Sequence, residues 1–415
     1  MSERLRIASL TTFYPPYNFG GDGIDVQRTA RVLAAMGHAV TVIHDTDTYV
    51  SLTGAEPTPA LADPHVEVIA LRSRTPRLST LLTHQFGRPT LHRRRLRALD
   101  RERQFDVVLF NNVSLVGGPG LLHFGGDAAR IYVAHEHWLV CESHVLWRHN
   151  REACTGRQCV RCVLAHGRPP QLWRYTGALP RALAHVDAFV ARSHFSRAQH
   201  EAFGFPRPMD IVPYGVPMPE APYGGPSPHP RPYFFFAGRL EPIKGVADLI
   251  DAFDGESGPD LVIAGAGTLD AELRAQAQGR PRVHFLGRMA TEQLAPYYRH
   301  ATASLVPSKG FETFGMVAIE ALAQGTPVIA RRIGPLPELI ETTGGGATFA
   351  TVAELREHIA DYARDPAASR ARGERGREVA RARYNPERVA SELVAIIDRE
   401  LARKRGGRAT GGGGA

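Results

Sequence analysis

The chain has 415 residues, too many for one ordinary hydrophobic core and enough for two domains of about 200 residues each. Hydrophobic residues make up 43% and charged residues 22%, a balance that excludes disorder over most of the length. The formal charge of +8, from 50 Lys and Arg against 42 Asp and Glu, suits nucleic acid, an anionic membrane surface or a phosphorylated small molecule and selects none of them.

From Met1 to Arg6 the chain is polar, and the apolar stretch from Ile7 to Leu10 is too short for a signal-peptide core. No segment approaches the roughly 20 apolar residues that span a bilayer. The expectation is a cytoplasmic protein, touching a membrane at its periphery at most. A strand over 5–10 runs into a glycine loop, Phe19-Gly20-Gly21-Asp22-Gly23, and then a helix over 24–36. In that helix Val26, Ala30, Leu33 and Ala34 recur at helical spacing, and Gly37 supplies the stop. A second buried strand over 39–43 completes a βαβ unit, so the sheet is expected to be parallel and doubly wound.

Further strands are predicted at 66–71, 106–110, 130–134, 188–191 and 210–212. The run His92-Arg93-Arg94-Arg95 reads as a solvated helix face. Residues 213–232 are rich in proline and glycine and cannot build a core element, so they read as a linker. Alternation then restarts, with strands at 233–237, 261–264, 283–286, 303–306 and 327–330. Helices are predicted at 246–253, 269–278, 291–300 and 314–324. Two long helical patterns close the chain, and Asn385-Pro386 caps the last. The predicted division is a first α/β domain over 1–215, a linker over 216–232 and a second α/β domain over 233–384. A terminal helix over 385–405 and a flexible tail over 406–415 follow.

Ligands of such sheets bind beyond the carboxyl ends of the strands. The richest loop there is Val306-Pro307-Ser308-Lys309-Gly310-Phe311-Glu312-Thr313-Phe314-Gly315. Glu312 precedes the expected helix and Glu320 lies two turns into it, which along a helix axis is about 12 Å, the reach from a hexose across a diphosphate to a ribose. Amides at Phe314, Gly315 and Met316 would meet phosphate at the positive end of the helix dipole. In a second loop, Gly238-Arg239-Leu240-Glu241-Pro242-Ile243-Lys244-Gly245, Arg239 offers a planar fork and Lys244 a point charge. A third, Gly265-Ala266-Gly267, would admit a base or phosphate, or is an ordinary turn.

Together these loops resemble family 4 of the retaining glycosyltransferases. The resemblance rests on GRLEPIKG from Gly238 to Gly245, on Gly265-Ala266-Gly267, on ETFGMVAIE from Glu312 to Glu320, and on the following AQGTPVIA from Ala323 to Ala330. It implies the GT-B fold, two facing Rossmann-like domains with a cleft between them. It also implies that Glu312 binds donor-sugar hydroxyls, Glu320 the ribose, and Arg239 and Lys244 the diphosphate, with the main chain at Phe314 and Gly315 near sugar and phosphates. Gly20 and Gly21 would approach the diphosphate from the opposite wall, or form a plain βα turn. His135, in Ala134-His135-Glu136-His137-Trp138, would lie near the anomeric carbon. The terminal helix would cross back onto the first domain. Retention in this family is explained by front-face transfer, in which the departing phosphate takes the acceptor proton, so neither a protein base nor a catalytic metal is required. The partners implied are a nucleotide-diphosphate sugar and a hydroxyl acceptor, whether saccharide, lipid-linked or small molecule.

Cys141, Cys154, Cys159 and Cys162 are the only cysteines and lie in an insertion expected over about 137–180. Their C-x12-C-x4-C-x2-C spacing, with His137, His144, His149 and His166 nearby, leaves a structural zinc and plain thiols both open, ahead of disulfides. Three rival functions have weaker support. A nucleic-acid-binding protein would have a recognition motif, and none is present. A Rossmann oxidoreductase would have the full G-x-G-x-x-G, and neither glycine loop supplies it. An epimerase or phosphorylase of the same architecture leaves the two-acid pattern unexplained.

Overall fold

The computed structural model describes residues 4–59 and 63–411. In chain order the first half supplies β1 (Arg6–Thr11), β2 (Ala39–Asp45), β3 (Glu67–Leu71), β4 (Val107–Phe110) and β5 (Ala129–Ala134). A short hairpin, β6 (Trp147–Arg148) and β7 (Glu152–Ala153), precedes β8 (Ala188–Ala191) and β9 (Asp210–Ile211). Apart from the hairpin these form one parallel sheet in the order β3-β2-β1-β4-β5-β8-β9. The second half supplies β10 (Tyr233–Ala237), β11 (Asp260–Ala264), β12 (Val283–Gly287), β13 (Ser304–Val306), β14 (Val328–Arg331) and β15 (Gly346–Phe349). These form a second parallel sheet, β12-β11-β10-β13-β14-β15.

Each sheet is buried on both faces by apolar clusters, which is why its central strands read as unbroken apolar runs. Each also reverses its strand order once, between β1 and β4 in the first and between β10 and β13 in the second. Those reversals open the crevices in which doubly wound sheets take ligands. The chain is thus two Rossmann-like α/β domains, the GT-B arrangement.

The final helix, Pro386–Gly411, lays Val389, Leu393, Val394 and Ile397 against Ile7, Leu33 and Ile131 of the first sheet's core. It continues through residues 406–411, part of the segment expected to be a flexible tail, because each added residue closes another backbone bond once the helix is nucleated. Residues 412–415 lie outside the described part. Between β14 and this helix stand three helices, Leu336–Thr343, Val352–Arg364 and Pro366–Arg383, where sequence periodicity showed a single long pattern.

Much of the arginine excess is used internally. Arg377 donates to the carbonyls of Ala323, Pro219 and Glu220, tying the linker to the second domain. Lys404 and Arg403 pair with Asp187. His92 departs from the solvated-face reading, since it is buried beside Asp45 and Asp47. Among the described residues no helix is long and apolar enough to cross a membrane.

Candidate active site

The loops after β1, β10 and β13 converge at the two reversals. The loop after β13 carries Glu312, whose Oε1 lies 2.7 Å from Lys244 Nζ and accepts a bond from Ser308 Oγ at 2.6 Å. Burial would raise the Glu312 pKa, but Lys244, Ser308 and Arg239 outweigh it and hold the carboxyl below its usual range. Arg239 is exposed and has no ion-pair partner among the described residues.

The helix after this loop spans Met316–Ala323 and is shorter than the predicted 314–324. Glu320 is therefore little more than one turn into it, and only about 6 Å of its separation from Glu312 is helical rise. The remainder is loop. Gly315 caps the helix at φ +106°, a left-handed conformation that a side chain would strain. Phe314 is buried against Tyr214 and Tyr384, so its ring anchors the loop while its amide stays near the helix start. The amides of Phe314, Gly315 and Met316 make no hydrogen bond to the rest of the described protein.

Opposite stands the first domain's helix, Gly21–Ala35. A Cβ built on Gly21 would overlap the Met316 methyl, so a larger residue there would require the Met316 side chain to move. Gly20 is held by Asn18, whose Nδ2 donates to its carbonyl at 2.7 Å. From the same helix Arg28 reaches to 3.6 Å from Glu320 Oε1. Burial raises the Glu320 pKa and Arg28 partly offsets that. Sequence reading missed Arg28, because on a helical wheel it is one more polar-face arginine.

Gly265 is explained by packing. A Cβ there would run into the Gly238 carbonyl, so the loops after β10 and β11 lie backbone to backbone. Gly238 itself would bring a Cβ within 3.0 Å of the Phe236 ring.

His135 sits at the end of β5 with its side chain fully enclosed. Its Nε2 lies 2.9 Å from Asn111 Oδ1 and its Nδ1 3.0 Å from the Tyr214 hydroxyl. Burial, with the Arg192 guanidinium next in size, drives its pKa well below the usual imidazole range. Arg192 in turn is paired with the buried Asp25 and stacked on Tyr214 at 4.4 Å. Both ring nitrogens are therefore engaged by neighbouring side chains of the first domain. Its contact with the donor side is through its backbone carbonyl, which accepts from Thr313 Oγ1 at 3.1 Å.

The domains meet at further points. Ser193 Oγ donates to the Thr313 carbonyl at 2.7 Å, and Glu338 accepts the amides of His194 and Phe195 at 3.2 and 3.1 Å. The four cysteines lie apart from these contacts, around a small cavity in the insertion.

Two family models divide the chain between them. Residues 19–220 match "Glycosyltransferase Family 4" and residues 220–379 match "Glycosyl transferases group 1". The chain belongs to glycosyltransferase family 4. It is a transferase enzyme, so the nucleic-acid, oxidoreductase and epimerase readings fall away. Among similar proteins, the glycogen synthase of Mycobacterium tuberculosis is 27% identical over 97% of this chain and 96% of its own. The MMP alpha-(1->4)-mannosyltransferase of Mycolicibacterium hassiacum is 26% identical over 96% of this chain and 99% of its own. The sucrose-phosphate synthase of Thermosynechococcus elongatus superposes with a TM-score of 0.74 at 22% identity, covering 96% of this glycosyltransferase and 100% of that chain. The Anabaena protein HepE, solved with UDP and glucose, superposes at 0.66 with 17% identity, over 95% and 100%. These likenesses fix the GT-B fold of the glycosyltransferase.

Proposed function

We propose that this glycosyltransferase moves a sugar from a nucleoside-diphosphate sugar to a hydroxyl acceptor with retention at the anomeric carbon. The observation that carries the reading is the helix start at Gly315, where three unbonded amides stand between the carboxylates of Glu312 and Glu320 with Gly21 facing them. Glu312 would accept hydrogen bonds from sugar hydroxyls and Glu320 from the ribose. The amides of Phe314, Gly315 and Met316, with Arg239 and Lys244, would meet the diphosphate. As the glycosidic bond breaks, negative charge grows on the leaving phosphate, which these donors would stabilise. The proposed transfer relies on Arg239, Lys244 and these amides for that stabilisation.

Retention is supported by the state of His135. A ring whose two nitrogens are both engaged suits a reaction in which the departing phosphate takes the acceptor proton, leaving His135 to hold the Thr313 loop in place. A sugar-nucleotide donor is also in keeping with HepE, solved with UDP and with UDP-glucose. The acceptor is a saccharide, a lipid-linked saccharide or a small molecule. The basic surface suits a cytoplasmic enzyme that meets a membrane at its edge. The test is a thermal-shift panel of nucleoside diphosphates and their sugars, then turnover with the stabilising donor and assignment of the product anomer by NMR. Inversion of the anomer overturns the mechanism, and stabilisation by no sugar nucleotide overturns the donor.

A further inference from the structure

The insertion between β5 and β8 has only short regular elements: the two-residue strands β6 and β7, the helices Cys159–Ala165 and Ala178–Leu183, and a 3-10 turn at Leu172–Thr176. Its backbone is nevertheless held in demanding conformations. His144, Leu146, His149 and Asn150 have φ of 71°, 48°, 53° and 57°, a region that side chains with a Cβ avoid. Such a segment needs a constraint beyond local propensity.

All four cysteines of the chain line one cavity of about 20 Å³, shared with Glu142, Ser143 and Arg148. That is room for one atom-sized guest. Cys159 and Cys162 stand three residues apart in one helix, a spacing that puts both sulfurs on the same side. The His149 amide donates to Cys162 Sγ at 3.2 Å, a bond that a thiolate accepts more strongly than a thiol. Glu142 is buried in the same wall. Its Oε1 accepts from the Tyr175 hydroxyl at 2.5 Å, while its Oε2 has no partner. That unpaired oxygen adds a further acceptor to the cavity wall, beside the Arg174 guanidinium that balances its charge.

We infer that Cys141, Cys154, Cys159 and Cys162 bind a single zinc ion as four thiolates and that this ion fastens the insertion. Each thiol gives up its proton to the solvent as its sulfur–zinc bond forms, with no change of oxidation state. Zinc–sulfur bonds of about 2.3 Å require sulfurs roughly 3.8 Å apart. Here no three ligand atoms of the cluster lie within 4.8 Å of one another. Closure therefore draws the sulfurs off their present neighbours, Ser143 Oγ, the Gly156 carbonyl and the Trp147 carbonyl. Arg148 in the wall and Arg174, which donates to the carbonyls of Trp138 and Cys141, offset the thiolate charge. The consequence reaches the cleft. Trp147 packs on Gly310, where a Cβ would come within 3.3 Å of its ring, so the clasp fixes a wall beside the loop that bears Glu312.

The experiment is metal analysis of the full chain purified without added zinc, followed by thiol titration with a mercurial. The expected result is about one zinc per chain, released in step with titration of the cysteines. Cys159→Ser should lose most of the zinc and melt at a lower temperature, whereas Ser143→Ala, which touches Cys141 without being a ligand, should keep it. The inference is overturned by metal-free protein with four freely titrating thiols, by disulfides in the intact mass, by stoichiometric iron, or by Cys159→Ser that retains full zinc.

Discussion

Lys244 Nζ lies 2.7 Å from Glu312 Oε1, so the loops after β10 and β13 are joined by opposite charges that the proposed reaction would use on neighbouring parts of one donor. Glu312 also accepts the Ser308 hydroxyl, which fixes the carboxylate further. Replacing it with Gln keeps the shape and removes the charge. Glu312→Gln is expected to lower kcat/KM by about 10²-fold. The pair is partly open to solvent, so thermal stability should fall by no more than about 1 kcal/mol. Steady-state kinetics and thermal unfolding of the same preparation check both. Unchanged transfer would remove Glu312 from the site.

Among the described residues, Arg28 and Glu320 form the one ion pair that links the first domain's helix to the donor helix, at 3.6 Å. Arg28→Ala is expected to raise KM for the donor by about 10-fold while leaving the fold intact. If the two residues act together, Arg28→Ala and Glu320→Gln will be less than additive in a double-mutant cycle on kcat/KM. Strict additivity would mean that the contact has no part in donor binding.

Gly21 gives the sharpest steric test. An alanine there overlaps the end of the Met316 side chain, which is flexible and can swing away at some loss of closure. Gly21→Ala should cut kcat/KM by about 10-fold with little change in melting temperature, a cost of about 1.4 kcal/mol in the transition state. Removing the obstruction in Gly21→Ala/Met316→Ala should restore much of it. A double variant no better than the single would show that close approach to Met316 is not what the glycine is for.

The buried cluster of His92, Asp45 and Asp47 predicts a pH dependence of stability. Burial opposes the His92 cation, but its bonds to Asp45 and Asp47 prevail and raise its pKa to about 9. A histidine with a folded pKa above its unfolded value of about 6.5 stabilises fully below pH 6.5. That stability is lost as pH rises toward about 9. The melting temperature should therefore fall across that window, by an amount equivalent to about 2–3 kcal/mol. His92→Gln should melt lower at pH 6 and show a flatter curve between pH 6.5 and 9. A flat wild-type curve there would refute the assignment.

How much of this was legible in the sequence follows from the kind of signal each element carries. Tyr233–Ala237 and Ala188–Ala191 are buried on both faces, so their apolar runs mark the strands to the residue. Gly346–Phe349 is a short edge strand, Gly-Ala-Thr-Phe, stabilised by its pairing with β14 and by the buried Phe349, too short to carry a pattern of its own. Glu312, Glu320 and Lys244 were legible because they are local to strand-end loops. Arg28 was not, since its meaning lies in a partner almost three hundred positions away. The surroundings of His135 were equally hidden, because Asn111, Arg192 and Tyr214 come from three separate stretches of chain.

Glu338 caps the helix His194–Ala202 from the other domain, while Ser193 both caps that helix through the Ser196 amide and bonds the Thr313 carbonyl. Neither half completes this seam alone. A hybrid enzyme made by joining the first half of this chain to the second half of a relative would inherit one side of each bond. Recombination at the linker should therefore succeed only when the residues at 193–195, 313 and 338 travel as a matched set, however well each half folds by itself.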